Sequence, residues 1–239
     1  MKTKGNTVLI TGGSAGIGFE IAKLFTQRGN RVIITGRNPE RLKTAAGLLK
    51  NATPVVADVT SKEDIRQLAA RVQRDFPELN MLINNAGYAD TYKLGVGVNA
   101  AEKAEQEMLT NYLSVIRLTE TFFPILSDKP EAAIVNISSI AAFRPAKVVP
   151  TYSASKAALH IYSEVLRTTL AENSNVEVYE VVAPLVNTEF SKSIGGAAGI
   201  PPQEVANELL RALEKKEWLV LVGKSKELAS RLTQVDGFA

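Results

Sequence analysis

The 239-residue sequence contains no cysteine and only one histidine. Disulfide bonds, thiolate catalysis and cysteine-ligated metals are therefore excluded, and we expect no metal site. Neither sign of charge dominates, because 28 Lys and Arg residues face 25 Asp and Glu residues. A net charge of +3 without a basic block does not indicate nucleic-acid binding.

Long hydrophobic runs are also missing. No apolar stretch reaches the roughly 20 residues that span a membrane, and the polar first residues lead directly into a predicted strand, which leaves no space for a signal peptide. We therefore expect a cytoplasmic protein without a membrane span. With 45% apolar and 22% charged residues, the composition is that of an ordinary globular protein with one substantial core.

What the sequence does contain is a regular alternation of short β-type runs and helical patterns. Strands are predicted at 7–10, 31–35, 53–57, 81–83, 132–137, 176–182 and 218–222, and helices at 19–28, 38–50, 62–76, 100–126, 151–171 and 201–216. This alternation predicts an α/β fold, namely a single doubly wound Rossmann domain over residues 1–239 with a mostly parallel seven-stranded sheet. Residues 189–200 lack periodicity and are predicted to form a flexible flap.

A glycine-rich loop separates the first strand from the first helix. Gly12, Gly16 and Gly18 give the spacing G-x-x-x-G-x-G within Thr11-Gly-Gly-Ser-Ala-Gly-Ile-Gly. A glycine cluster alone is also typical of a simple turn. Between a strand and a helix it predicts a dinucleotide-binding loop, with the pyrophosphate at the helix N-terminus.

A tyrosine and a lysine four residues apart are the candidate catalytic pair. Tyr152 and Lys156 lie on one face of a predicted helix, one turn apart. An ammonium group near a phenol favours the phenolate, so we expect the pKa of Tyr152 to be lowered towards a range useful for proton transfer. Alone, the pair is also compatible with an exposed helical face. Ser139, at the end of the fifth predicted strand, and Asn111 complete the candidate catalytic set.

Together these residues resemble the standard-length, NADP-type branch of the short-chain dehydrogenase/reductase family. The resemblance covers essentially the whole chain and implies an oxidoreductase that transfers a hydride between NADP(H) and a carbonyl or alcohol substrate. It implies that Tyr152 acts as general acid and base, that Ser139 orients the carbonyl oxygen, and that Lys156 binds the ribose. It also implies that Asn111 distorts its helix and holds a water that leads to Lys156. Without the resemblance, Asn111 is an exposed polar residue in a helix.

The resemblance extends to the cofactor-binding residues. Asn84-Asn85-Ala86-Gly87 matches a family motif that lets the backbone approach the cofactor, and an Asp in the position of Asp58 lies beside the adenine, although Asp58 also fits a capping turn. The implied cofactor contacts are Gly12, Ser14, Gly16, Ile17, Gly18, Arg37, Asp58, Val59, Asn85, Ala86, Gly87, Tyr152, Lys156, Val186 and Thr188. One departure is Ala183-Pro184, where the family has Pro-Gly, which puts the local backbone path in question.

Arg37 predicts a preference for NADP(H). In NAD-binding folds an acidic residue roughly 20 residues beyond the glycine loop holds the adenosine ribose. Here the second strand ends in Thr35-Gly36-Arg37-Asn38, where Arg37 offers a guanidinium suited to a phosphate and Ser14 adds a hydroxyl. The alternative is that Arg37 is a solvated surface charge.

Several alternatives remain open at this point. The protein fits an NAD-linked alcohol dehydrogenase with the same catalytic residues, or a cofactor-binding regulator that turns nothing over. His160 is interpreted as packed or solvated, and Arg144 and Lys147 as a solvated loop or a patch for an anionic substrate. The family resemblance implies a homodimer or homotetramer through helices 100–126 and 151–171, whose extra apolar residues are Leu109, Leu113, Ile116, Leu118, Leu159, Val165 and Leu166.

Overall fold

The chain is organised around a parallel sheet with the strand order β3-β2-β1-β4-β5-β6-β7. Its structure is a computed structural model in which residues 1–228 are described, so the end of the predicted domain at 1–239 lies outside the described residues. The strands are Thr7–Thr11 (β1), Arg31–Gly36 (β2), Ala52–Val56 (β3), Leu79–Asn84 (β4), Ala132–Ser139 (β5), Val176–Ala183 (β6) and Leu219–Leu221 (β7). All neighbouring strands pair in parallel, which confirms the predicted doubly wound α/β architecture.

Helices cover both faces of the sheet. The helices are Gly16–Gln27 (α1), Pro39–Gly47 (α2), Lys62–Asp75 (α3), Ala100–Met108 (α4), Ser114–Ser127 (α5), Pro150–Asn173 (α6) and Pro202–Lys215 (α7). α1, α2 and α7 pack on one face, and α3, α5 and α6 on the other. Because helices cover both faces of the sheet, β1 and β5 are buried along their whole length and their central residues are apolar on both faces. None of the helices within residues 1–228 combines the length and hydropathy that crossing a membrane requires.

Side-chain caps fix the starts of two helices near the carboxyl edge of the sheet. Asn38 caps α2 by accepting a hydrogen bond from the Arg41 N–H at 2.9 Å. α3 is capped by Ser61, whereas Asp58, three residues earlier, accepts from the Thr60 N–H at 2.8 Å. The turn role considered for Asp58 is therefore observed, but the cap itself belongs to Ser61.

The helix predicted over 100–126 is distorted at Asn111, as the family resemblance implies. A π-helix at Leu109–Leu113 interrupts it and separates α4 from α5. Asn111 lies at the centre of this π-helix and is fully buried, so the alternative of an exposed polar residue is wrong. π-Segments inside α-helices are rare, and they frequently occur at functional sites.

The segment predicted as a flexible flap without periodicity contains short helical turns. Glu189–Ile194 and Gly196–Ala198 form two 3₁₀ helices, the first of which is closed by a capping box between Thr188 and Ser191. Sequence periodicity missed these helices because each is too short to produce an apolar repeat. The flexibility of this segment stays a prediction.

Two residues assigned to a helical surface for self-association lie inside the chain instead. Leu118 and Leu159 are each 1% exposed, because both pack beneath their helices. Leu113 and Val165 do face outwards, with 39% and 58% of their surface exposed. An apolar outer face therefore exists, although it is smaller than the sequence pattern indicated.

Candidate active site

A cleft of about 1000 Å³ opens where the carboxyl ends of β1, β2, β4, β5 and β6 meet. The strand order changes direction between β1 and β4, and ligands bind at such a switch point in open α/β sheets. Asn111 and Gly18, two of the predicted site residues, lie behind its wall. The other predicted residues line it: Gly12, Ser14, Gly16, Ile17, Arg37, Asp58, Val59, Asn85, Ala86, Gly87, Ser139, Tyr152, Lys156, Val186 and Thr188.

The glycine loop is tied to the end of β4. The Asn85 side chain donates to the carbonyl oxygens of Thr11 and Gly12 at 2.9 and 3.1 Å. A Cβ at Gly18 would lie 2.4 Å from the Asn85 amide nitrogen, so only glycine fits this packing. Gly18 therefore has a structural role in setting the loop against β4.

The start of α1 has the features of a pyrophosphate site. Ala15 precedes the helix and brings no capping side chain, and the first turn of α1 carries no acidic residue. The first-turn N–H groups and the positive end of the helix dipole are therefore left for an anion. Gly16, with φ of +54°, passes so close to Thr188 that a Cβ would lie 3.1 Å from the threonine methyl. The residues present thus fit a dinucleotide between α1 and Thr188.

Small and cationic residues form the end of the cleft beyond β2. Gly36 lies beside Ser14, because a Cβ on Gly36 would be 3.6 Å from the Ser14 hydroxyl. Arg37 is exposed and lines this end, together with Asn38 and Arg41, which the sequence interpretation missed. The spacing of four residues between Arg37 and Arg41 is the signal that identifies the second arginine.

Tyr152 lies in the first turn of α6 and faces the end of β5. Its hydroxyl lies beside the side chain of Ser139, whose Oγ accepts a hydrogen bond from the Ala141 N–H at 3.1 Å. Burial raises the pKa of Tyr152 to about 12; the neighbouring Ser139 hydroxyl opposes this rise, and the charge of Glu107 adds to it. The expected lowering of this pKa is therefore wrong for the protein alone, because burial disfavours the phenolate more than its neighbours stabilise it.

Lys156 is buried beneath the tyrosine. Its Nζ donates to the Ile137 carbonyl oxygen at 2.8 Å and lies 5.8 Å from the centre of the Tyr152 ring. Burial lowers the pKa of Lys156 to about 8, against the opposing effect of the Glu180 charge. The ammonium is therefore held at the cleft wall by a backbone carbonyl, and the charge of Glu180, a residue that the sequence interpretation did not identify, favours its charged form.

Glu180 and His160 form a buried pair behind the cleft. Glu180 lies within the apolar strand β6, and its Oε2 is 2.8 Å from Nδ1 of His160 on α6. The two side chains are 5% and 12% exposed, and the ring of Phe143 covers the imidazole at 4.4 Å. The interpretation of His160 as a packed residue is therefore correct. An acidic residue in the middle of an apolar strand was the signal for Glu180.

Asn111 holds the backbone of Tyr88 by two hydrogen bonds. Its Oδ1 accepts from the Tyr88 N–H and its Nδ2 donates to the Tyr88 carbonyl, both at 2.8 Å. The same Nδ2 lies 2.9 Å from Ser155 Oγ, which in turn donates to the Tyr152 carbonyl oxygen. Asn111 therefore links the loop after β4 to the catalytic turn, and its predicted role in a water relay stays a prediction.

The segment that departs from the family pattern follows β6. Although Ala183-Pro184 replaces Pro-Gly, the chain beyond it is fixed by backbone hydrogen bonds from Ile200 N to Leu185 O at 3.0 Å and from Asn187 N to Ile200 O at 2.8 Å. This pairing with residues 199–200 keeps Val186 and Thr188 at the cleft wall.

Comparison with known proteins decides the family. Residues 6–198 match the family described as short chain dehydrogenase. The chain belongs to the short-chain dehydrogenase family. A curated relative, the uncharacterized oxidoreductase DltE of Bacillus subtilis (strain 168), is 39% identical over 208 residues, covering 87% of this chain and 82% of the relative. The protein is thus an oxidoreductase of this family.

Solved structures agree with this assignment. A short-chain dehydrogenase from Burkholderia cenocepacia J2315 in complex with NADP is 28% identical, with a TM-score of 0.86 over 99% of this chain and 96% of the other. A family member from Burkholderia phymatum in complex with NAD has a TM-score of 0.87 over 92% and 89% of the two chains, but at 19% identity it shows the fold alone. Structures with this fold therefore occur in complex with NADP and with NAD, so the fold does not decide between these two cofactors.

Proposed function

We propose that this short-chain dehydrogenase interconverts a carbonyl compound and its alcohol with NADP(H), using Tyr152 as general acid and base. The observation that carries the proposal is that the hydroxyls of Tyr152 and Ser139 lie side by side at the wall of the dinucleotide-sized cleft. Two hydroxyl groups that meet at one point are able to bind the same carbonyl oxygen. Lys156 lies next to them, which supports proton transfer at this position.

Each residue has a distinct task in the reaction. When bound, reduced nicotinamide supplies a hydride to the carbonyl carbon. Tyr152 donates its proton to the carbonyl oxygen, and Ser139 orients that oxygen by a hydrogen bond. The Lys156 ammonium, 5.8 Å from the ring, stabilises the phenolate that remains. A pKa of about 12 keeps Tyr152 protonated at neutral pH, which is the state that a proton donor requires.

The cationic end of the cleft supports NADP(H) as the cofactor. Arg37 and Arg41 both line the region beside Gly36 and Ser14, where the adenosine ribose of a dinucleotide held by the glycine loop would lie. Guanidinium groups bind phosphate by paired, charge-assisted hydrogen bonds. The NADP complex of the relative with 28% identity is consistent with this choice.

Replacing the proposed acid tests the reaction. We expect Tyr152→Phe to lower kcat at least about a hundredfold, because only the transferable proton is removed, with NADPH affinity nearly unchanged. The assay is NADPH oxidation with a panel of ketones, aldehydes and quinones. Tyr162→Phe, on the same helix but outside the cleft wall, is the matched control. Near-normal turnover by Tyr152→Phe would refute the assignment, and a parent that binds cofactor but turns over no substrate would identify a regulator.

Replacing Arg37 tests the cofactor choice. A charge-assisted contact contributes about 1.5–3 kcal/mol, so Arg37→Ala should weaken NADP⁺ binding roughly ten- to a hundredfold and leave NAD⁺ binding almost unchanged. Lys43→Ala removes an exposed cation from α2, outside the cleft, and serves as the control. Titration of both oxidised cofactors gives the affinities. Equal affinities in the parent protein would favour an NAD-linked dehydrogenase instead.

A further inference from the structure

Large apolar side chains face the open cleft beside Tyr152. Phe190, Tyr88 and Val148 are 48%, 36% and 37% exposed, and all three line the cleft wall. They come from three separate segments: the first 3₁₀ helix after β6, the loop after β4 and the loop before α6. Exposed apolar groups that converge on one concavity are typical of a ligand-binding surface.

Contacts within the protein hold these groups around the catalytic hydroxyl. The Phe190 ring lies 6.0 Å from the Tyr152 ring with a tilt of 53°. Asn111 fixes the backbone of Tyr88 by two hydrogen bonds, which holds this side chain at the cleft wall. Val148 is joined to the same loop, because its carbonyl oxygen accepts from the Tyr92 N–H at 3.0 Å.

The charges at this end of the cleft do not favour an anion. Arg144 and Glu189, of opposite sign, both line it. Arg144 already pairs with Glu227, at 3.1 Å between Nη1 and Oε2. A carboxylate substrate would therefore compete with an existing ion pair and meet an additional negative charge.

We propose that the substrate is an apolar carbonyl compound, whose aromatic or branched alkyl group packs between Phe190, Tyr88 and Val148 while its oxygen binds Tyr152 and Ser139. This inference rests on the proposed carbonyl reduction and names the substrate class for it. Phe190 is the specificity residue, because its ring lies 6.0 Å from the Tyr152 ring and is exposed enough to be replaced without disturbing the core. Binding buries its exposed ring against the apolar group of the substrate.

The test compares carbonyl compounds of different polarity in NADPH-dependent turnover. Acetophenone and cyclohexyl methyl ketone represent the apolar class, dihydroxyacetone the polar class and pyruvate the anionic class. We expect kcat/KM to be highest for the two apolar ketones, and Phe190→Ala to lower it about 10- to 100-fold for them alone. Leu48→Ala, which removes an exposed apolar side chain outside the cleft, should change nothing. A preference for dihydroxyacetone or pyruvate, or an unaltered Phe190→Ala variant, would overturn the inference.

A binding measurement separates failure of this inference from failure of the proposed reaction. Acetophenone is titrated calorimetrically into the parent protein and Phe190→Ala, each saturated with NADP⁺. Binding that depends on Phe190 without turnover of any carbonyl supports the apolar site and refutes the reaction. Turnover of polar carbonyls without acetophenone binding refutes the apolar site and retains the reaction. If neither binding nor turnover occurs, both are refuted.

Discussion

The buried pair of His160 and Glu180 provides a quantitative test of the energetics behind the active site. Replacing His160 with Leu leaves the Glu180 carboxylate, 5% exposed, without its 2.8 Å partner. Breaking a buried ion pair from one side typically costs about 3–5 kcal/mol. The nearby Lys156 ammonium still compensates part of the charge, so we expect the lower end, about 3 kcal/mol of unfolding free energy.

The double variant gives the contrasting result. In His160→Leu/Glu180→Leu both polar groups are replaced by apolar ones, so the free energy of unfolding should return to within about 1.5 kcal/mol of the parent. Urea unfolding followed by circular dichroism measures all variants. Glu164→Gln is the control, because Glu164 is 48% exposed and lies 3.8 Å from the imidazole, and it should cost less than about 1 kcal/mol.

The coupling between the two residues should depend on pH in a defined direction. Burial disfavours the charged imidazolium, but the hydrogen bond and charge of Glu180 outweigh burial, so the pKa of His160 lies above its usual value. Glu164 adds to this rise and Arg167 opposes it. The stabilisation is therefore complete below the unfolded pKa of about 6.5 and is lost as pH rises through the folded pKa.

The double-mutant coupling energy should accordingly be larger at about pH 5.5 than at about pH 9. The reasoning would be refuted by a His160→Leu variant as stable as the parent at the lower pH. It would equally be refuted if the double variant were less stable than both single variants, because the pair would then not be the source of the cost.

Three further outcomes are expected. Burial lowers the pKa of Lys156 to about 8, so this residue loses its charge above that pH. We therefore expect kcat/KM for carbonyl reduction to fall above about pH 8. A flat pH profile up to about pH 10 would contradict this role of Lys156. Asn111→Ala removes both hydrogen bonds to the Tyr88 backbone, so hydrogen exchange at the Tyr88 amide should accelerate at least about tenfold. Unaltered exchange would show that another contact holds the loop. Light scattering at micromolar concentration should show at least a dimer for the parent protein. The variant Val165→Glu, which places a charge at an exposed apolar position of α6, should form a smaller species. A monomeric parent protein would contradict the predicted assembly.

Local sequence patterns were sufficient to predict the fold and to identify most residues of the candidate site. Alternating β-type and helical patterns require a parallel sheet covered on both faces, and the structure has that sheet. The cofactor loop was predictable because G-x-x-x-G-x-G is a local pattern placed between a strand and a helix. Tyr152 and Lys156 were predictable for the same reason, since their spacing fixes their relative position on one helix.

Properties that depend on burial or on contacts between residues distant in sequence became evident only in the folded structure. The neighbouring Lys156 was predicted to lower the pKa of Tyr152. This pKa rises instead, because the fold withdraws the Tyr152 hydroxyl from water. Glu180 and His160 are 20 residues apart and meet only because β6 packs against α6. Phe190, Tyr88 and Val148 converge on one wall although each follows a different strand. Local spacing specifies which groups are present on one element, whereas solvation and the packing of separate elements decide the chemistry that those groups perform together.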